Sequence, residues 1–261
     1  MHRIGVFDSG IGGLTVLRQL RRAFPQLDMV YLGDTARVPY GGRSVETITH
    51  YAEDDVRFLL RKDVEAIVIA CGTVSSNSLD TLREKFDLPI YGVIESAARL
   101  AASVTKTRSV GVIGTQATIK SGAYETHIRA ADPAVRVISR ACPLFVPLVE
   151  NGIAPDDIVA ETVCSRYMEA FDGENIDALI MGCTHYPVYR PALEKRLPGV
   201  RMIDVGEALA EALRPLFAGC GGDGAVEYYV TERSAAFDEI VRVMDPTLDP
   251  AAIRVENAFI Q

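Results

Sequence analysis

The chain carries one sequence plan twice, and this internal repeat restricts its fold more than any other feature. Arg3–Ser9 is similar to Ser109–Thr115. Ala66–Cys71 is similar to Ala178–Cys183, and the two cysteines that end these segments are 112 residues apart (183 − 71). A chance alignment of short apolar runs would explain either match alone, but it does not explain an ordered series. We therefore expect two homologous units.

Each half alternates short apolar runs rich in valine and isoleucine with longer stretches of helical periodicity. This alternation is typical of βα units around a mostly parallel sheet. Strands are predicted at residues 4–7, 29–32, 66–70, 90–94, 109–113, 135–139, 178–181 and 201–205. Helices are predicted at residues 14–24, 45–62, 75–86, 119–130, 154–171 and 207–217.

These elements predict an α/β fold of two homologous lobes, each a mostly parallel sheet flanked by helices. Lobe one is assigned residues 1–97 and 207–261, because a helix in the last segment is expected to cross back to it. Lobe two is assigned residues 98–206. A pseudo-twofold axis is expected to relate the lobes. Because ligands of α/β sheets bind beyond the carboxyl ends of the strands, the active site is predicted in the cleft between them.

The charge and the cysteine content restrict the partners and the compartment. The net charge of −8 argues against nucleic acid, because phosphate binding requires a concentrated basic surface. The apolar run Ile4–Phe7 is too short for a signal peptide or a transmembrane helix, so we expect no membrane attachment. Five cysteines without a CxxC pair favour a reducing compartment, and we predict a cytoplasmic protein.

Cys71 and Cys183 end equivalent strands of the two repeats, so their thiols are predicted to face each other across the cleft. Inverting a carbon stereocentre by proton transfer needs a base on one side and an acid on the other. Two identical thiols can exchange these roles in the reverse direction. An ordinary thiol has a pKa of about 8.5, so each thiolate needs local stabilisation, which the N-termini of the following predicted helices offer.

Other interpretations of these residues remain open at this point. Either cysteine alone would be a small buried hydrophobic residue. The repeat favours a functional role for both cysteines over simple packing. The polar neighbours favour it too: Thr73 lies beside one thiol, and Thr184 and His185 lie beside the other. His185 is placed to stabilise a thiolate or to relay a proton. Zinc binding by Cys71, Cys183 and His185 would be unusual because close ligand pairs are absent, and we predict no metal.

Asp8 follows the first predicted strand and precedes the glycine-rich segment Ser9–Gly13. A dinucleotide-binding loop is a poor match, since Thr15 occupies the third glycine position of GxGxxG. Flexible backbone close to a substrate carboxylate explains the glycines equally well. Asp8 is accordingly either a carboxylate of the site or a cap of the following helix.

The chain resembles the glutamate racemase family, of the aspartate/glutamate racemase superfamily, in motifs that run nearly end to end. These motifs are Val6–Gly13, Tyr31–Asp34, Pro39–Gly41, Ala70–Cys71, Gly111–Thr115 with Thr118, Ala141–Glu150 and Gly182–Pro187. The last two, ACPLFVPLVE and GCTHYP, are the most specific. The resemblance implies a cytoplasmic homodimer that interconverts L- and D-glutamate without a cofactor and supplies D-glutamate for peptidoglycan.

The resemblance also implies roles for individual residues. In the family the first thiol, here Cys71, takes the proton from D-glutamate, and the second, here Cys183, takes it from L-glutamate. Asp8 supports the first thiol, and Glu150 and His185 support the second. The positions at which substrate contact is implied are Asp8, Ser9, Pro39, Tyr40, Gly41, Gly72, Thr73, Thr115, Thr118, Thr184 and His185.

The sequence departs from the family at Gly72, where members usually carry asparagine. The loss of one side-chain hydrogen bond to substrate typically costs about 0.5–1.5 kcal/mol. Either nearby Ser75, Ser76 or Asn77 compensates for it, or the substrate differs. The alternatives are therefore an aspartate or other amino-acid racemase of the superfamily, and, in another class, a non-catalytic amino-acid-binding or regulatory protein.

Overall fold

Two parallel sheets organise the computed structural model, which describes residues 1–256. The strands are β1 (Arg3–Asp8), β2 (Asp28–Gly33), β3 (Ala66–Ile69), β4 (Ile90–Gly92), β5 (Ser109–Gly114), β6 (Arg136–Ala141), β7 (Ala178–Met181), β8 (Arg201–Asp204), β9 (Val226–Val230) and β10 (Ile253–Val255). The first sheet has the order β10-β9-β2-β1-β3-β4, and the second has the order β6-β5-β7-β8. Every pairing between neighbouring strands is parallel.

Helices connect these strands, as parallel pairing requires. They are α1 (Leu14–Ala23), α2 (Val45–Leu60), α3 (Gly72–Asn77), α4 (Leu79–Lys85), α5 (Val93–Val104), α6 (Gln116–Ser121), α7 (Ala123–Ala131), α8 (Phe145–Glu150), α9 (Ile158–Met168), α10 (Arg190–Arg196), α11 (Val205–Phe217) and α12 (Phe237–Met244). Short 3-10 turns cover Glu169–Phe171, Tyr186–Tyr189 and Pro250–Ala252. Among the helices of residues 1–256, none combines the length and apolar character that a membrane crossing requires.

The architecture confirms the predicted class, an α/β protein of two lobes built on parallel sheets. The strands of the first sheet come from residues 3–92 and 226–255, and those of the second from residues 109–204. The lobe boundaries, 1–97 with 207–261 and 98–206, remain our proposal. Residues 257–261 of the first proposed lobe lie outside the described residues.

The inner strands β3 and β7 are buried on both faces, which explains why they read as continuous apolar runs. All four residues of β3 and all four of β7 are fully buried. Helix α5 packs against α7, α11 and β7, so it joins the first lobe to the second. The carboxyl ends of β1 and β3 in one sheet and of β5 and β7 in the other lead into the cavity described below.

Several predicted element bounds were wrong. The strand predicted at 90–94 ends at Gly92, because Val93 and Ile94 already belong to α5 and bury their side chains on its inner face. The helix predicted at 119–130 is divided by Gly122, whose φ of +68° ends α6 and starts α7. The prediction also omitted β9, β10 and α12, which follow α11 and add two strands to the first sheet.

Candidate active site

One cavity of about 380 Å³ lies where the two sheets present their strand ends to each other. Twelve of the predicted site residues line it, and they come from both lobes: Ser9, Pro39, Tyr40, Gly41, Cys71, Gly72, Thr73, Thr115, Glu150, Cys183, Thr184 and His185. Two further predicted residues, Asp8 and Thr118, lie behind this lining. The arrangement brings both candidate thiols into a single space large enough for an amino acid.

Cys71 is the N-cap residue of α3, directly after β3. Its side chain is buried, and its Sγ lies 3.3 Å from the Ser9 hydroxyl oxygen. Burial and the neighbouring Asp8 carboxylate raise the pKa of this thiol to about 12, although contacts with Ser9 and the Val74 amide favour the thiolate. The expected help from a helix N-terminus is therefore present, but desolvation outweighs it.

Cys183 follows β7 and is also buried. The helix expected after it is a short 3-10 turn, which begins at Tyr186. The Nδ1 atom of His185 lies 3.9 Å from the Cys183 sulfur, and Nε2 lies 3.2 Å from Oε1 of Glu150. Burial opposes the charge on His185, but its contacts with Cys183 and Glu150 prevail and raise its pKa to about 10. At neutral pH the second thiol thus has an imidazolium beside it.

Asp8 ends β1 and is fully buried. Its Oδ2 accepts hydrogen bonds from the backbone amides of Gly10 (3.2 Å) and Gly13 (3.0 Å). Its Oδ1 has no hydrogen-bond partner among residues 1–256. Burial raises the pKa of this carboxyl to about 6, while the charge on His185 and the two amides act in the opposite direction. Asp8 therefore orders the glycine-rich loop with one oxygen and keeps the other available.

Three threonine hydroxyls connect the lobes along one side of the cavity. The Oγ1 atoms of Thr73 and Thr115 are 3.0 Å apart, and Thr115 donates to Thr118 across another 3.0 Å. Thr115 is also the N-cap of α6, where its hydroxyl accepts the Thr118 amide. Thr118 is buried behind Thr115, so it orients that side chain and does not line the cavity.

Gly72 is a point of close contact between the lobes. A Cβ atom built on its backbone would lie 2.3 Å from the carbonyl oxygen of Gly182, the residue before the second thiol. No real Cβ atom sits so close to a backbone oxygen. The asparagine that the family usually carries at this position does not fit the backbone as it stands, and the absence of a side chain lets α3 approach β7.

Sequence reasoning missed six residues of the lining, which are Val38, Gly42, Gln116, Pro143, Val146 and Pro147. Pro143, Val146 and Pro147 lie within the motif Ala141–Glu150. Val38, Gly42 and Gln116 each adjoin a motif, so extending the motifs by one residue would have found them. Among residues 1–256, no three histidine, cysteine, aspartate or glutamate side chains converge on a possible metal site.

Relatives match this chain over nearly its whole length. A glutamate racemase of Aquifex aeolicus is 46% identical over 242 residues, which cover 93% of each chain. The structure of glutamate racemase from Thermus thermophilus in complex with beta-chloro-D-alanine matches with a TM-score of 0.86 at 42% identity, covering 98% of this chain and 96% of that one. The Francisella tularensis glutamate racemase in complex with D-glutamate matches with a TM-score of 0.90 at 34% identity, covering 99% and 98%.

Two thiols that share one cavity between duplicated α/β lobes, together with these relatives, define an amino-acid racemase. Residues 4–213 match the Asp/Glu/Hydantoin racemase family. The chain belongs to this family, and the resemblance seen in its motifs is confirmed.

Proposed function

We propose that this chain interconverts L- and D-glutamate by moving the α-proton between Cys71 and Cys183. The observation that carries the proposal is the position of the two thiols, which lie two residues beyond the equivalent strands β3 and β7 and line one cavity. The α-carbon bound between them loses its proton to one thiolate, and the carbanion that results receives a proton from the opposite thiol. Relatives at 46% and 44% identity that carry the name glutamate racemase support the choice of substrate.

Each thiol has its own polar partner in this mechanism. The buried Asp8 lies near Cys71, whereas His185, held by Glu150, lies near Cys183. Cys71 takes the proton of D-glutamate, and Cys183 takes that of L-glutamate. A raised pKa makes the Cys71 thiolate scarce but more basic. The difference between the pKa of this thiol and that of the weakly acidic substrate Cα–H becomes smaller, which favours proton transfer. The substrate ammonium group favours that thiolate when it binds nearby.

Neutral donors around the cavity are suited to the two carboxylates of glutamate. The hydroxyls of Ser9, Thr73 and Thr115 line it, and so does Thr184. Pro39, Tyr40, Gly41 and Gly72 complete the surface against which the substrate lies. The reaction would supply D-glutamate for peptidoglycan. We propose that the enzyme acts in the cytoplasm as a homodimer.

Exchange of the α-proton tests the proposed activity directly. The purified wild-type protein, incubated with L-glutamate in D2O, should form D-glutamate that carries deuterium at Cα, detected by NMR and by chiral chromatography. L-aspartate in a parallel reaction serves as the control for substrate choice. Deuterium incorporation with aspartate alone would establish an aspartate racemase, and no incorporation with either amino acid would refute racemisation.

A further inference from the structure

The segment 38–42, here called the strap, connects the two lobes along the lining of the cavity. It belongs to the first lobe, follows β2, and all five of its residues line the cavity. Its Gly41 carbonyl oxygen accepts a 3.0 Å hydrogen bond from the Ala117 amide of the second lobe. Ala117 lies in the first turn of α6, where backbone amides have no partner within the helix. The strap therefore satisfies a free helix amide of the opposite lobe.

On the side of the first lobe, a buried polar cluster holds the strap through its middle residue, Tyr40. The ring of Tyr40 is buried, and its hydroxyl donates to Oδ2 of Asp34 and lies 3.4 Å from Oδ2 of Asp55. Arg37 donates through Nε to Asp34 (2.5 Å) and through its terminal nitrogens to Asp54 (2.9 Å) and Asp55 (3.4 Å). Both Asp34 and Asp55 have no exposed surface.

A residue from the C-terminal part of the chain completes this cluster. Thr231, the residue after β9, donates to Oδ1 of Asp34 at 3.1 Å and accepts the Ala36 amide at 2.8 Å. The loop that leads into the strap is thus fixed by residues about 195 positions away in the sequence. The strap enters this network through Tyr40.

The charges in the cluster favour the neutral form of Asp55. Two fully buried carboxyls share the single guanidinium of Arg37, and an unpaired buried carboxylate is costly. Burial raises the pKa of both carboxyls, and the nearby charge of Asp34 raises that of Asp55 further. Asp34 has the shorter contacts with Arg37 and Tyr40, so it is the carboxylate of the pair.

We propose that Asp55 and Arg37 are positioning residues that hold the strap, through Tyr40, against the second lobe and over the bound substrate. This inference rests on the proposed racemase function. Neither side chain lines the cavity, so neither contacts the substrate. Their effect is on substrate binding, because an unanchored strap must be ordered each time a substrate is enclosed.

Matched substitutions at Asp55 test the inference. Asp55→Ala removes the carboxyl, whereas Asp55→Asn keeps a neutral group of the same shape. We expect Asp55→Ala to raise the KM for both enantiomers of glutamate by about tenfold with little change in kcat, and Asp55→Asn to restore a KM near that of the wild type. Thermal unfolding of each variant shows whether it is folded.

Hydrogen exchange of the Ala117 amide, followed by NMR, gives a second readout that does not depend on activity. In Asp55→Ala this amide should exchange at least tenfold faster than in the wild type, while amides of β1 stay protected. Thr231→Val should show the same pattern of exchange, and it replaces Asp55→Ala in the test if that variant fails to fold.

Unchanged KM and unchanged Ala117 exchange would overturn the inference, as would an Asp55→Asn variant as impaired as Asp55→Ala. A wild type that racemises no glutamate refutes the proposed function, but Ala117 exchange still decides whether the cluster holds the strap.

Discussion

At Asp8, the stability of the fold favours the protonated carboxyl, whereas the proposed mechanism uses the ionised carboxylate. Its pKa is raised from 3.8 to about 6, so between these pH values the folded chain binds more protons than the unfolded chain. Stability contributed by this group is therefore present at low pH and is lost as the pH rises through about 6. A shift of about 2 units corresponds to about 3 kcal/mol, which is the cost of keeping this buried carboxylate ionised at pH 7. The proposed mechanism needs that charge beside the substrate.

Asp8→Asn should consequently stabilise the protein and reduce its activity. At pH 7 we expect the free energy of unfolding to rise by up to about 3 kcal/mol, because the uncharged amide avoids this cost. We expect kcat to fall by about a hundredfold. Urea denaturation at pH 7 and pH 4 provides the check, since the stabilities of the two proteins should converge near pH 4. An Asp8→Asn variant less stable than the wild type at pH 7 would contradict this account.

Gly72 shows how a departure from a family motif is reinterpreted once its surroundings are known. From the sequence, asparagine would be expected to restore a missing substrate contact. In the structure its Cβ would collide with the Gly182 carbonyl oxygen. We expect Gly72→Asn to lower the free energy of unfolding by about 1–3 kcal/mol and to reduce kcat, because the lobes must separate. Gly72→Ala is the control and should have a similar effect. Higher racemase activity in Gly72→Asn, measured by circular dichroism of glutamate, would argue against the steric cause.

At the scale of the elements, the sequence predicted the strands that carry the thiols and missed those whose pattern is weaker. The prediction for β7 has the observed bounds, because its four apolar residues lie between the charged Asp177 and Gly182, which set clear limits to the strand. The strand β9 was missed because VEYYV mixes a charge and two tyrosines with its valines. Its place beside β2 depends on pairing across about 195 residues, which local periodicity does not encode.

Asp55 is a residue that sequence reasoning missed although a signal was present. The apolar stripe of α2 includes Ala52 and Leu59, and Asp55 lies three residues after the first and four before the second. Positions at these intervals share one face of a helix. A carboxylate on the buried face needs a polar partner, and this requirement alone would have indicated a functional or structural cluster. Its partners, Asp34 and Arg37, were not identifiable without the fold.

The glycine-rich loop and the second thiol are joined by one hydroxyl. The hydroxyl of Thr15, in the first turn of α1, lies 2.9 Å from the Gly12 carbonyl oxygen and 3.0 Å from the Thr184 carbonyl oxygen of the other lobe, and it donates its proton to one or the other. The side chain is buried, so its loss leaves the Thr184 oxygen without this donor. Thr15→Val, which keeps the shape, should lower stability by about 1–3 kcal/mol and should reduce kcat severalfold, because Cys183 is adjacent to Thr184.

Thr15→Ser is the matched control, since it keeps the hydroxyl and should retain kcat near the wild-type value. Racemisation rates and denaturant unfolding of both variants give the comparison. Equal kcat values for Thr15→Val and the wild type would show that the bond between the lobes does not position the thiol.

At the scale of the whole molecule, the duplication is what made the site predictable. Repeated strands ending in Cys71 and Cys183 implied two lobes and one cavity before any coordinates were known, and the structure places both thiols in that cavity. The repeat did not predict how the two halves differ. One thiol has Asp8 nearby, at the position where the second repeat has Gly114. The other has His185 with Glu150, which lie outside the matched segments. Each lobe thus supplies one half of the proposed reaction with different surroundings.

If each thiol acts on one enantiomer, Cys71→Ser and Cys183→Ser should lose activity toward opposite enantiomers. A 3-chloroglutamate substrate loses its α-proton to one thiolate and then expels chloride from the neighbouring carbon, so the product enamine hydrolyses to a keto acid and ammonia. The opposite thiol is not needed for this elimination. Cys71→Ser should lose elimination from the substrate with the D configuration at Cα and keep it with the L substrate, and Cys183→Ser should show the reverse.

Both variants should lose glutamate racemisation by at least a thousandfold, because inversion needs a thiol on each side of the carbon, and a serine hydroxyl is a far weaker acid. Keto acid formation with each enantiomer of 3-chloroglutamate, measured alongside racemisation, separates the two half-reactions. If both variants lost elimination from both enantiomers while remaining folded, the thiols would act as one unit, and the assignment of one face of the substrate to each lobe would be wrong. Retention of elimination from opposite enantiomers would instead connect the sequence repeat to the stereochemistry of the reaction, since each copy of the repeat would serve one face of the same carbon.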